Sequence, residues 1–284
     1  METGHQYMTE KTNNKSLDNT SSDYKKLSIQ ASLNGLSFCV MDTIDNTLLL
    51  SESLVFNEEL NPYELQKELK AFIEKHNIHK ASFSEVVVIH KNDLFSLVPK
   101  ALFNTDELAN YLKFNIKILE NDHMAYDEIA PYEMINVYVP FVNINNYIYE
   151  LYGAFEFKHN GTVLIQTLLN NHSNGKEAVC YVHVSKMQME VIVISQKNLL
   201  FYNSFTYHTK EDFIYYLLFT LEQLKLDTDT IKLRLFGGVD EGDEVHTLCY
   251  QYIKNISIYV PENIPYLATE LDKETIDFTV LNAL

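Results

Sequence analysis

Arginine is nearly absent from this chain of 284 residues: Arg234 is the only one, and there is no tryptophan. Arginine carries the forked donor that binds phosphate and carboxylate groups through paired hydrogen bonds, so sites built from arginine clusters are excluded. Positive charge is scarce as a whole, with 22 Lys and Arg against 39 Asp and Glu and a formal net charge of −17. Because nucleic-acid phosphates need clustered Lys and Arg, we predict no nucleic-acid partner.

The chain also has few cysteines and no long apolar run. The three cysteines lie far apart within apolar stretches, which is typical of buried thiols in a reducing compartment: Cys39, Cys180 and Cys249. No run reaches the roughly 18 apolar residues that a membrane-spanning helix requires. The polar N-terminus lacks the apolar stretch of a signal peptide. These features predict a cytoplasmic protein without a membrane span.

Hydrophobic and aromatic residues are abundant. The chain is 46% hydrophobic and contains 19 Tyr and 16 Phe, which is enough for a sizeable core. Its length allows two domains of common size. Residues 1–24 are polar and lack periodicity, so we predict a disordered N-terminal tail. Two domains are expected to follow it, at residues 25–160 and 161–284.

Two stretches of the chain show the same order of predicted elements. In the first, a hairpin turns at Asn34-Gly35, a third strand follows, and Asn61 caps an amphipathic helix that leads to a fourth strand. In the second, three strands begin at Ala178 and Thr209 caps a helix that again leads to a fourth strand. The order β-β-β-α-β therefore occurs twice, which predicts an internal duplication.

The three strands of the two stretches superimpose without a gap. Leu27 falls on Ala178 and Phe56 falls on Tyr207, an offset of 151 residues at both positions. Each stretch continues with a helix and a strand, NIKIL (residues 115–119) in the first half and ISIYV (256–260) in the second. In the first half INVYVPF (135–141) predicts a further strand. We predict an α/β fold with mixed sheets, built from two duplicated β-β-β-α-β-α domains.

This order, with a Gly-Gly turn after the fourth strand of the second copy, resembles the actin-like ATPase fold of actin, heat-shock chaperones and sugar kinases. The stretch VPFVNINNYIYELYGAFEFKHNGTVL (Val139–Leu164) is similar to an uncharacterised bacterial domain-of-unknown-function family, DUF3822, thought to share that fold. The resemblance implies two ribonuclease-H-like domains around a cleft. It implies no activity, substrate or partner, because the family label carries none.

The actin-like resemblance also implies where a nucleotide would bind. In active members, each first hairpin carries an Asp that positions Mg²⁺ and a Gly-containing turn whose N–H groups hold phosphates. The first hairpin here has Gly35 but no preceding acid, and the second has Ser185 and Lys186 but neither acid nor glycine. Gly237-Gly238 would match the glycines that contact adenosine. These five residues form the candidate nucleotide site, for ATP and Mg²⁺.

The Gly-Gly pair has a second interpretation, as an ordinary turn from a strand into a helix. Asp240, Glu241, Asp243 and Glu244 would then lie at the positive end of that helix, where carboxylates are stabilising. The same acids make the loop unfavourable for phosphates unless a cation intervenes. Both interpretations stay open from the sequence.

A polar loop in the middle of the chain, His159-Asn160-Gly161-Thr162, joins a predicted strand to a predicted helix. A helix N-terminus after a glycine turn can hold an anion, and His159 could serve as a general acid or base. The alternative is a plain turn in which Thr162 caps the helix. The loop is therefore a candidate polar or anion site.

No spacing pattern identifies a metal site or a catalytic group. His246 and Cys249 are three residues apart, as are His76 and His79, but the chain has no C-x-x-C motif to complete a ligand set. The nucleophile motif G-x-S-x-G is also missing. We predict no metal and assign no catalytic residue.

Three functions are compatible with these observations. The first is a non-catalytic actin-like (pseudo-ATPase) scaffold or regulator with a protein partner, because the phosphate hairpins lack acids. The second is a divergent ATP-binding ATPase or kinase that uses Gly237-Gly238. The third is a binder of a sugar or small molecule that uses the cleft without nucleotide. Fold analogy alone does not choose among them.

Overall fold

The computed structural model describes residues 24–114, 116–119, 122–172, 175, 177–260 and 277–284. The predicted tail therefore lies outside the described residues, except for Tyr24. The described chain forms two compact units, the first with residues 24–164 and 277–284 and the second with residues 165–260. The domain limits 25–160 and 161–284 stay a prediction, and residues 277–284 pack within the first unit.

The first unit is built on a mixed sheet of β1 (Lys25–Ser32), β2 (Gly35–Asp42), β3 (Thr47–Val55), β4 (Glu85–Lys91) and β8 (Glu156–His159). The strands lie in the order β3-β2-β1-β4-β8. β1, β2 and β3 are antiparallel, whereas β4 runs parallel to β1 and β8 runs parallel to β4. The predicted hairpin at Asn34-Gly35 is thus the β1–β2 connection.

Helices cover both faces of this sheet. One face packs against α1 (Pro62–Lys75) and α3 (Val142–Tyr152) through a continuous apolar core. The other face packs against the start of α4 (Asn160–Asn171) and against α7 (Phe278–Asn282), near the end of the chain. Because both faces are covered, β1 and β2 are buried along nearly their whole length, as their apolar runs predict.

A second, smaller sheet is inserted between β4 and β8. It consists of β5 (Phe95–Pro99), β6 (Ala125–Ile129) and β7 (Met134–Tyr138), paired antiparallel in the order β5-β7-β6 beside the short helix α2 (Leu108–Leu112). The predicted strand at 115–119 is wrong: Ile116–Leu119 form no strand, and residue 115 lies outside the described chain. Ile116 and Ile118 pack against the small core beneath this sheet, so their alternation reflects burial without strand pairing.

The second unit repeats the plan of the first. Its strands are β9 (Val179–Val184), β10 (Gln188–Ser195), β11 (Asn198–Thr206), β12 (Lys232–Gly237) and β13 (Asn255–Ile258), in the order β11-β10-β9-β12-β13. The helices α5 (Lys210–Gln223) and α6 (Glu244–Tyr252) pack on one face. Both sheets have the same strand order and directions, which confirms the duplication.

The predicted gap-free alignment of the two halves is correct for one strand and wrong for another. β3 and β11 begin at Thr47 and Asn198, 151 residues apart as predicted, but β2 and β10 begin at Gly35 and Gln188, 153 residues apart. The β2–β3 connection has four residues (43–46), whereas the β10–β11 connection has two (196 and 197). A shift of two residues keeps every side chain on the same face of a strand, so the hydrophobic pattern does not reveal it.

None of the helices in the described part of the chain is long and apolar enough to cross a membrane.

The two predicted helix caps are confirmed and have the same geometry. The Asn61 side chain accepts hydrogen bonds from the N–H groups of Tyr63 and Glu64, and the Glu64 carboxylate accepts one from Asn61 N. In the second unit, Thr209 accepts from Asp212 N at 3.1 Å and Asp212 accepts from Thr209 N at 3.0 Å. Reciprocal capping satisfies donors that a helix start would otherwise leave unpaired.

The matching caps allow the same test in both units. We expect Asn61→Ala and Thr209→Ala each to lower the free energy of unfolding by about 1 kcal/mol, because the first-turn N–H groups lose an acceptor. Urea unfolding followed by circular dichroism measures the change. Thr209→Ser keeps the hydroxyl acceptor and serves as the control; a loss as large as that of the alanine variant would contradict the capping role.

Candidate functional site

The structure brings four of the five candidate nucleotide-site residues together in the second unit. Ser185 and Lys186 lie in the β9–β10 connection, and Gly237-Gly238 follows β12. β12 pairs in parallel with β9, with Gly237 opposite Val184. The glycine turn and the hairpin therefore lie at the same end of these two neighbouring strands. Gly35 belongs to the corresponding hairpin of the first unit.

Gly237 is required by the backbone of the second unit. Its φ is +92°, and a Cβ at this position would lie 2.5 Å from the carbonyl oxygen of Val184 and 2.7 Å from Cδ2 of His183. At Gly238 a Cβ would meet only the Val184 oxygen, at an ordinary 3.5 Å. The fold therefore explains the first glycine of the pair and leaves the second unexplained.

Backbone donors near this turn already hold hydrogen bonds within the protein. Gly238 N donates to Val184 O at 2.8 Å, and Ser185 N donates to Gln188 O at 2.9 Å. Gly35 likewise has a structural reason, because a Cβ there would lie 2.7 Å from the Leu54 carbonyl oxygen of the neighbouring strand. A phosphate that used these N–H groups would have to displace contacts that form the sheet.

A buried polar pair lies directly behind the second hairpin. His183 on β9 and Glu190 on β10 face each other across the two strands, with Nδ1 and Oε2 2.7 Å apart, and both side chains are buried. The Tyr202 hydroxyl lies 3.4 Å from the other carboxylate oxygen, and Phe236 stacks on the imidazole. This pair fills the space between the hairpin and the strand that carries the glycines.

The first unit has a polar pair at the same place in its sheet. Gln30 on β1 faces Ser37 on β2, and both donate hydrogen bonds to Oδ2 of Asp277, at 2.8 and 2.9 Å. The carboxylate belongs to the segment that caps α7, and Thr279 of that helix also donates to Gln30. At the 153-residue offset between β2 and β10, Ser37 corresponds to Glu190. The gap-free alignment, with its offset of 151, pairs Glu190 with Cys39 instead, so it does not reveal that the two polar pairs are equivalent.

The second candidate, the loop at His159, is a buried network in the first unit. The helix α4 begins at Asn160, so Thr162 lies inside its first turn. His159 Nδ1 accepts from Gly161 N and faces Asn136 Nδ2, both at 3.0 Å, while its Nε2 lies 3.1 Å from the Asn92 carbonyl oxygen. These partners fit a neutral imidazole with its proton on Nε2, and they occupy both ring nitrogens.

Asp127 on β6 joins this network and was not anticipated, because β6 itself was not predicted. Its Oδ2 accepts from His159 N at 2.8 Å and from the Thr162 hydroxyl at 2.7 Å, and its Oδ1 accepts from the Tyr138 hydroxyl at 3.0 Å. Burial raises the pKa of Asp127, and the three hydrogen bonds partly oppose that rise. The arrangement ties the small sheet to the start of α4.

No metal-binding cluster is found in the part of the chain that the structure describes: no three His, Cys, Asp or Glu residues are placed to share an ion. His246, one of the paired candidates, is engaged through Nδ1 by the N–H of Gly242 at 3.2 Å. Cys249 is fully buried within the core of the second unit.

The two glycines should respond differently to substitution. We expect Gly237→Ala to lower the free energy of unfolding by about 1–3 kcal/mol, because alanine is strained at positive φ and its Cβ meets the Val184 oxygen. Gly238→Ala should change it by less than about 0.5 kcal/mol. Denaturant unfolding of both variants gives the comparison, and equal losses would contradict the assignment of the backbone requirement to Gly237 alone.

The charge of Asp127 should appear in the pH dependence of stability. Since its folded pKa is raised, the carboxyl contributes stability that is fully present below its unfolded pKa of about 3.9 and lost as the pH rises through the folded pKa. Asp127→Asn keeps an acceptor for His159 N and Thr162 but does not titrate. We expect the native protein to lose stability relative to this variant as the pH is raised from roughly 4 towards neutrality.

Unfolding free energies of both proteins across that range provide the measurement. The exposed Asp45→Asn variant controls for the loss of one carboxylate. A native-minus-variant difference that rises with pH would contradict burial as the dominant effect on Asp127.

Known structures share this fold. A Bacteroides thetaiotaomicron protein with an actin-like ATPase fold and unknown function is 23% identical, with a TM-score of 0.76 over 88% of this chain and 97% of that one. A chain of a PilM–PilN type IV pilus biogenesis complex is 11% identical, with a TM-score of 0.60 over 91% of this chain and 94% of that one. At these identities the likeness establishes the fold, so the predicted actin-like ATPase fold is confirmed.

Sequence comparison assigns the family. No curated protein sequence matches the chain. The profile of one family, described as "Protein of unknown function (DUF3822)", matches residues 14–256, which is most of the chain. The chain therefore belongs to the DUF3822 family, as its central stretch predicted.

Proposed function

We propose that this protein is a non-catalytic member of the actin-like class, a scaffold or regulator that acts by binding another protein. One observation carries the proposal: a carboxylate adjoins each hairpin, and protein groups already engage it. Asp277 accepts through both oxygens, from Gln30 and Ser37 on one and from the N-terminus of α7 on the other. Glu190 is paired with His183 and buried.

Metal–phosphate binding would have to break these contacts. A hydrated Mg²⁺ needs carboxylate oxygens that can face it, and removing one partner of a buried hydrogen bond leaves the other unsatisfied at a cost of about 1–3 kcal/mol. The loop after the glycines adds negative charge, because Asp240, Glu241 and Asp243 are all exposed. These features favour a protein that keeps the actin-like shape without using ATP.

A protein partner is supported by the use of this fold elsewhere. The PilM-like neighbour was determined in a complex with PilN, so a chain of this shape and length engages another protein there. We extend only the mode of action, protein binding, to the present chain.

The cysteines support a cytoplasmic location as part of the same proposal. All three are free and buried, and burial raises the pKa of Cys39 and of Cys249 to about 12. Thiols of that kind are poor nucleophiles and have no disulfide to maintain in an oxidising compartment.

The alternative function, a divergent ATP-binding ATPase or kinase, is favoured by Gly238. Its backbone has ordinary φ and space for a Cβ, so the fold gives no reason for a glycine there. A flat ligand that approaches the backbone closely would supply one. In that case Gly238 would contact ATP beside Ser185 and Lys186, with Mg²⁺ held by groups other than the engaged carboxylates.

Calorimetric titration with ATP–Mg²⁺ separates the two functions. We expect no binding heat at millimolar nucleotide, because the hairpin donors and carboxylates are engaged within the protein. Gly238→Val is the matched variant, and its unfolding curve confirms that it remains folded. A low-micromolar dissociation constant in the native protein that is lost in Gly238→Val would reject the scaffold and establish the alternative.

A further inference from the structure

We propose that the outer edge of β11 and the aromatic residues beside it form a docking surface for an extended segment of a partner protein, in which apolar side chains alternate with Lys or Arg. This β11–α5 surface comprises residues 203–206 of β11 and the aromatic row Phe205, Tyr216, Tyr215 and Phe219. The inference rests on the proposed function and names where the partner binds.

The aromatic row is continuous from the edge strand to the exposed side of α5. Phe205 stacks on Tyr216 with ring centroids 5.0 Å apart, Tyr216 contacts Tyr215 at 5.5 Å, and Tyr215 stacks on Phe219 at 6.1 Å. Tyr215 is 62% exposed and Phe219 is 46% exposed. Isolated apolar residues are common on protein surfaces, whereas an exposed aromatic pair that continues into the half-buried Phe205 and Tyr216 forms a contiguous patch of the kind that marks an interaction site.

The duplication shows that the fold does not need the exposed pair Tyr215 and Phe219, whereas Phe205 and Tyr216 pack partly against the core of the second unit. α1 and α5 have the same length and begin with the same capping geometry. When the two caps are aligned, the positions of Tyr215, Tyr216 and Phe219 are occupied in α1 by other residues: Lys67, Glu68 and Ala71. Since α1 forms the same helix on an equivalent sheet, the aromatic residues of α5 have a role specific to the second unit.

The edge of β11 is suited to pairing with another strand. β11 is the outermost strand of its sheet, and in the part of the chain that the structure describes no strand pairs with its outer side. Its sequence NLLFYNSFT contains no charged residue and no proline, the features that usually protect such an edge. Beyond an irregularity opposite Val193 and Ile194, β11 pairs regularly with β10, and its residues 203–206 can template an added strand.

The charges around the row favour a basic occupant. Glu211 and Glu222 lie at its two ends, at helical spacings of four and three residues from Tyr215 and Phe219, and both are exposed. Lys210, the one cation within α5, already pairs with Glu244 at 3.2 Å. A second copy of this chain, with its net charge of −17, would bring like charges together on the same surface.

A labelled peptide tests the proposal directly. The probe is a seven-residue peptide in which Lys alternates with Ile and Phe, and its binding to the full chain is followed by fluorescence anisotropy. We expect saturable binding that weakens with salt, and at least about tenfold weaker binding to the Tyr215→Ser/Phe219→Ser variant. Tyr63→Ser, an exposed tyrosine on α1, is the matched control and should bind like the native protein.

Two altered peptides separate the parts of the surface. Replacing Lys by Glu should abolish binding, and N-methylation of alternate backbone nitrogens should do the same by blocking strand pairing. The proposal is overturned if the Lys peptide does not bind, if the Lys and Glu peptides bind equally, or if the double variant binds as the native protein does. It is also overturned if sedimentation shows a native dimer that the double variant loses, because the surface would then join two copies.

The two proposals fail in different experiments. Failure of the peptide leaves the ATP–Mg²⁺ titration and the scaffold proposal unaffected. Tight ATP binding with intact peptide binding would reject the scaffold and keep the docking surface.

Discussion

Each unit of this protein buries a polar pair directly behind its first hairpin, and much of the surrounding structure follows from satisfying that pair. An unpaired polar group in a core costs roughly 2–7 kcal/mol, so the strands alone cannot bury one. In the second unit the two strands supply both partners, His183 and Glu190. In the first, Gln30 and Ser37 need the carboxylate of Asp277, so the end of the chain must return to the first sheet.

The same requirement bears on nucleotide chemistry. An actin-like site needs carboxylate oxygen near the hairpins, and this protein has it there. The resemblance places the acid before each hairpin turn, whereas here Glu190 follows the turn, on β10, and Asp277 precedes α7. Those oxygens hold α7 in place and hydrogen-bond a buried histidine. A carboxylate that stabilises the fold in this way binds a metal ion poorly, because breaking its existing hydrogen bonds would leave other buried groups unpaired.

The regular parts of the fold could be predicted from the sequence, because periodicity and capping act over a few residues. The β-β-β-α-β repeat, the caps at Asn61 and Thr209 and the Gly-Gly turn are all of this local kind. Within the insertion between β4 and β8, the predicted strand INVYVPF (135–141) forms β7. β5 and β6 were not predicted, because they are short and depend on pairing with residues distant in the chain. The polar pairs were missed because the gap-free alignment ignores a two-residue difference between the β2–β3 and β10–β11 connections. That difference preserves the hydrophobic pattern but places Glu190 against Cys39 instead of Ser37.

The duplication also separates what the fold requires from what it does not. Positions that the two units fill alike, such as the caps and the apolar core of the helices, are explained by folding alone. Gly237 differs from its counterpart His90, yet its positive φ and its close approach to Val184 explain it. Gly238 and the exposed aromatic residues of α5 have no such explanation, since the first unit folds without their equivalents. We therefore expect selection for binding to have acted on exposed residues of the second unit that the fold does not need.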